Sequence, residues 1–104
     1  MPIMGLGMQI ACLGFASPGE VERDAGAELV LLSRTAGDIL DCHLTVESYD
    51  DESGRRLHRA RLDMVTCDLE LLPGPGMTDA ESRVAIHRAF EHAEHVLRER
   101  GSGR

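Results

Sequence analysis

The chain has 104 residues, enough for one domain with one modest core, and a formal net charge of −7. Apolar residues make up 42% and charged residues 28%, which excludes a disordered chain. The acidity excludes broad non-specific nucleic-acid binding, because neutralisation of phosphates by basic side chains supplies most of that affinity, but it leaves room for a local Arg patch.

All 11 basic residues are Arg, and the aromatic residues are Phe15, Tyr49 and Phe90, so the core is expected to be aliphatic. Met1 to Ala16 is apolar and Gly-rich. It has no basic residue ahead of its apolar run and is too short to span a membrane, so a cytoplasmic location without a membrane partner is expected. Cys12, Cys42 and Cys67 sit in separate apolar runs, form no CxxC pair, and are expected to be reduced and buried. No linker divides the chain, so residues 1–104 are expected to form a single domain with an ordered core of about 8–100 and a frayed tail.

In chain order, Met8 to Phe15 predicts a first strand. Ser17-Pro18-Gly19-Glu20 then has the pattern of a capping box with Pro at the first helical position. Val21, Ala25, Leu29 and Leu32 mark one face of the helix that follows, and Gly37 is its expected stop. Ile39 to Tyr49 predicts a second strand with Cys42, Leu44, Val46 and Ser48 on one face and Asp41, His43, Thr45, Glu47 and Tyr49 on the other. Asp50-Asp51-Glu52-Ser53-Gly54 is a turn in which Gly54 supplies a positive φ.

Leu57 to Leu72 has no Gly or Pro. His58, Ala60, Leu62 and Met64 share one parity and Leu69 and Leu71 the other, which predicts a turn near Val65-Thr66 between strands three and four; one long bent strand is the alternative. Pro73-Gly74-Pro75-Gly76 is a firm break. Thr78-Asp79-Ala80-Glu81 has the pattern of a second capping box, opening a helix to about Arg100 with Ala85, Ile86, Ala89, Phe90, Ala93, Val96 and Leu97 on its apolar face. The fold class is therefore α+β in the order β-α-β-β-β-α: a four-stranded meander sheet with both helices packed on one face.

That order and two segments resemble the ribosome hibernation-promoting factor family, also called ribosomal subunit interface proteins. The first segment is Val21-Glu22-Arg23-Asp24, continuing through Leu29 and Leu32 to Ile39-Leu40-Asp41-Cys42-His43-Leu44; the second is Ala85-Ile86-His87-Arg88-Ala89-Phe90 with Glu94 and Leu97-Arg98. The resemblance implies a fold like a double-stranded-RNA-binding domain, and docking on the small ribosomal subunit and its rRNA so that idle ribosomes are silenced or stabilised. It corresponds to a short member of the family. The family's helices carry rows of Lys, whereas this chain has no Lys and places Val30 and Leu31 in that region.

The local basic concentration is Arg55, Arg56, Arg59 and Arg61, four guanidiniums within seven positions at and beside a hairpin. A guanidinium can fork onto phosphate oxygens. The competing expectation is cross-strand pairing with Glu47, Asp50 or Asp51. Arg34 after the first helix, and Arg88 and Arg98 on the last, complete the candidate RNA-binding set. His92, His95 and Glu91 lie near one another on the last helix, but a third close ligand is not evident and no metal or other cofactor is expected. With no nucleophile elbow, phosphate-binding Gly loop or HExxH motif, an enzyme is not expected. The expected function is a non-catalytic ribosome-associated binding module. The alternative is a protein–protein interaction or oligomerising domain that kept the fold and lost RNA binding, and a homodimer stays open under either.

Overall fold

The computed structural model describes residues 7–14, 18–35 and 37–102. Its elements are β1 (Gly7–Leu13), α1 (Pro18–Leu32), β2 (Ile39–Asp50), β3 (Arg56–Thr66), β4 (Leu71–Leu72), β5 (Met77–Asp79) and α2 (Ser82–Ser102). The sheet runs β1-β2-β3-β4, and β5 continues beside β3 in the lane that β4 begins. The expected α+β order is present, with the fourth strand in two pieces. The pairing of β1 with β2 is parallel, since α1 carries the chain back to the starting end of the sheet; β2, β3 and the fourth lane are antiparallel.

Period-two alternation fixes the inner face. The register places Met8, Cys42, Met64 and Leu72 in one row, Ile10, Leu44 and Leu62 in the next, and Cys12, Val46, Ala60 and Met77 in a third. Both helices cover these rows, with Val21, Ala25 and Leu32 from α1 and Ala85, Ile86, Ala89, Phe90, Ala93 and Leu97 from α2 closing one core. Leu29 packs against it from the side. No described helix is long and apolar enough to cross a membrane.

Several local expectations shift. Pro18 does open α1, while the expected cap at Ser17 lies outside the described residues. The helix ends at Leu32 rather than at Gly37, because Ser33 and Thr35 turn their hydroxyls onto the carbonyls of Val30 and Leu32, at 2.7 and 3.2 Å, and satisfy the last turn. The turn after β3 falls at residues 67–70, later than Val65-Thr66, and is built without glycine. Leu69 takes φ 67°, its N–H donates to the Thr66 carbonyl at 2.8 Å, and the Thr66 hydroxyl accepts from the Glu70 N–H at 3.0 Å. Leu69 and Leu71 are consequently exposed, and Leu72 is the residue that reaches the core.

The Pro-Gly segment interrupts the fourth lane without ending it. Gly74 donates to the Asp63 carboxylate at 2.9 Å, and a Cβ there would meet the Leu62 carbonyl oxygen, so the chain hugs β3 and resumes pairing at Met77. Thr78 and Asp79 therefore belong to β5, and α2 starts at Ser82. The expected capping box is replaced by the Asp79 carboxylate accepting the Glu81 N–H at 3.0 Å. All three cysteines are free, as expected, but only Cys42 is buried; Cys12 is half-buried and Cys67 is exposed on the β3–β4 turn.

Candidate nucleic-acid interface

The hairpin joining β2 to β3 is organised by Asp51. Its carboxylate accepts the Ser53 N–H at 2.9 Å, the Ser53 hydroxyl at 2.7 Å and the Arg55 N–H at 2.9 Å. These donors, the Ser53 hydroxyl foremost, hold its carboxyl down at about 2. Gly54 supplies the expected positive φ, 85°. The hairpin thus presents its arginines from a fixed frame.

Each of the four hairpin arginines meets a carboxylate. Arg55 reaches Asp51 at 3.3 Å, Arg56 reaches Asp50 at 3.1 Å, Arg59 reaches Glu47 at 3.8 Å, and Arg61 reaches Asp63 at 3.2 Å. Two of these pairs are direct cross-strand neighbours, Asp50 opposite Arg56 and Glu47 opposite Arg59. Arg56 also donates to the Ser48 hydroxyl at 2.9 Å, and the Arg59 guanidinium lies 5.3 Å from the Tyr49 ring centroid. All four arginines remain exposed to solvent.

The other three candidates divide between the two ends of the sheet. Arg88 donates to the Thr78 carbonyl at 3.3 Å, and Thr78 is the register partner of Arg59, so α2 brings Arg88 to the hairpin side. Arg98 lies ten residues further along α2, about 15 Å along the axis, and pairs with Glu94 at 3.3 Å. The same end of α2 is tied down by Arg100, which reaches Asp38 at 3.3 Å and Glu70 at 3.5 Å beside the start of β2. Arg34 belongs to this far end too, just after α1, and has no ion-pair partner among the described residues.

Between the helices lies a groove of opposite character, lined by Glu28, Leu31, Phe90, Glu91 and Glu94. His87 crosses it to Glu28 at 2.9 Å. That hydrogen bond, with the Glu28 charge, raises the His87 pKa above its ordinary value. Sequence reasoning missed this pair because its members lie 59 positions apart. The Arg61–Asp63 pair was missed too, although the shared parity of the two residues could have found it, whereas the Tyr49–Arg59 contact is diagonal and requires the register. No group of three His, Cys, Asp or Glu side chains among the described residues is arranged to hold a metal ion.

No protein-family model matches the chain, and no curated protein matches it. Among solved structures, the crystal structure of the Thermus thermophilus Protein Y N-terminal domain is similar to it, with a TM-score of 0.65 at 15% sequence identity. The match covers 89% of this chain and 97% of that one, so the two share a fold across nearly their whole lengths.

Proposed function

We propose that this protein is a non-catalytic, ribosome-associated module that docks on the small ribosomal subunit and silences or stabilises idle ribosomes. The observation that carries this reading is the fold shared with the Protein Y N-terminal domain along 89% of the chain. The primary contact is Arg55, Arg56, Arg59 and Arg61 with Arg88 beside them, and Arg34 and Arg98 form an outlying second contact. Exposed ion pairs contribute only about 0–1 kcal/mol, whereas a charge-assisted bond from Arg to a phosphate contributes about 1.5–3 kcal/mol. Exchanging Glu47 or Asp63 for an rRNA phosphate is therefore downhill for Arg59 and Arg61. The carboxylates act as internal competitors that hold the guanidiniums in place when no ribosome is bound.

Co-sedimentation with small subunits at two salt concentrations tests this. Arg59→Ala/Arg61→Ala should weaken binding by about 1–3 kcal/mol per contact and flatten its salt dependence. Glu47→Gln/Asp63→Asn, which removes the competing carboxylates, should strengthen binding. Unchanged binding in the Arg variant rejects this patch as the contact.

A specific observation favours a second reading, a protein–protein interaction domain that has lost RNA binding. Five of the seven candidate arginines are paired with carboxylates, and Val30 and Leu31 are exposed on α1 beside the acidic helix groove. Failure of the wild type to bind small subunits even at low salt selects this reading over the first.

A further inference from the structure

The two edges of the sheet are built differently. The fourth lane is two short pieces separated by Pro73-Gly74-Pro75-Gly76. Its prolines have no N–H, and the Gly74 N–H is already held by Asp63. The opposite edge is β1, seven residues without interruption, which pairs with β2 and with no other strand among the described residues. Two of the usual protections of an exposed edge are missing from it: Gly7-Met8-Gln9-Ile10-Ala11-Cys12-Leu13 has no charge and no proline. The strand lies within the longest charge-free run of the chain, residues 1–19, in a molecule of net charge −7.

We infer that β1 is a dimerisation edge that pairs antiparallel with β1 of a second copy. The strand is self-complementary about Ile10. With the two-fold axis at Ile10, Met8 of each copy stands opposite Cys12 of the other, Gln9 opposite Ala11, and Gly7 opposite Leu13. Met8, Ile10 and Cys12 are only half-buried where they pack against the core, and the same trio from the second copy covers their remaining surface. No charged side chain of β1 lies in the seam. The helix groove and the β3–β4 turn would each set acidic side chains of two copies against each other. The uncharged β1 edge lets two acidic copies approach at little electrostatic cost. One strand per copy makes a small interface, so the dimer is concentration-dependent rather than obligate.

Sedimentation velocity of the whole chain from micromolar to millimolar concentration tests the inference, without involving ribosomes. The wild type should move from monomer to dimer. Gln9→Lys/Ala11→Lys and Gln9→Glu/Ala11→Glu, both at exposed outer-face positions, should each weaken dimerisation by about tenfold or more. Mixing the two charged variants should restore a heterodimer, because Lys then faces Glu at both cross-strand positions, while the neutral Gln9→Thr change should leave dimerisation intact. Amide exchange of the wild type is the second readout: β1 amides should slow as concentration rises, and β4 and β5 amides should not. Monomeric behaviour at every concentration overturns the inference and leaves the edge to a strand of another protein. A dimer unaffected by the charged substitutions, with no concentration-dependent protection of β1, also overturns it.

Discussion

The inner and outer faces of the β2–β3 hairpin are made from the same two strands, one residue out of phase, and they do opposite jobs. Cys42, Leu44, Val46, Ala60, Leu62 and Met64 point inward and are buried under the helices. One step along the chain, His43, Thr45, Glu47, Arg59, Arg61 and Asp63 point outward as a mixed-charge surface whose members pair with each other. The inner face fixes stability through apolar area removed from water. The outer face contributes little to stability and is therefore free to be specified by recognition. A slip of one residue in register would exchange the two sets, so the turn at Asp51–Gly54 keeps both faces in place.

Thiol labelling gives the largest contrast. Burial, reinforced by the Asp41 charge, pushes the Cys42 thiol up to about 12, and the side chain lies in the core. Its reaction requires global opening, which costs about 5 kcal/mol or more in a domain of this kind, so Cys42 should react on the order of a thousandfold more slowly than exposed Cys67. Half-buried Cys12 should fall between them, and rapid labelling of Cys42 would place it on the wrong face. Next in size, Leu44→Ala removes a side chain that is 1% exposed. It should cost about 2–5 kcal/mol by urea denaturation, the range for a buried Leu.

The Glu28–His87 pair bridges the helices rather than the strands and yields a smaller, pH-dependent effect. His87 has a raised pKa in the folded state. Its stabilising contribution is therefore complete below the ordinary His value and is lost as pH rises through the folded value. His87 is 56% exposed, which limits the contribution to about 0–1 kcal/mol. Denaturation midpoints at pH 6 and pH 8 should differ in that direction for the wild type, and the difference should shrink in His87→Ala. Smallest of all, Arg59→Ala and Arg61→Ala should each change folding stability by only about 0–1 kcal/mol. A larger loss would mean that the outer face supports the fold after all.

The alternation of β2, the helical stripes of Val21-Ala25-Leu32 and Ala85-Ala89-Ala93, and the hairpin turn with Gly54 were all legible in the chain. Each is a local pattern whose period matches one backbone geometry. The cross-strand pairing of Arg59 with Glu47 was legible for the same reason. The ends of the elements were not: the resumption of the sheet at Met77 depends on pairing with β3, and Leu69 at positive φ and the early stop of α1 rest on side-chain bonds that periodicity does not encode. Leu69 is a poor residue for its own backbone conformation, and the turn stands because Thr66 and Glu70 bond across it. Likewise, seven candidate arginines were visible from charge alone, but their division between the two ends of the sheet was not. The sequence by itself determined which side chains seek the core, since that follows from spacing. Tertiary structure decided which charges meet and which strands pair, because those depend on distances between segments that spacing does not encode.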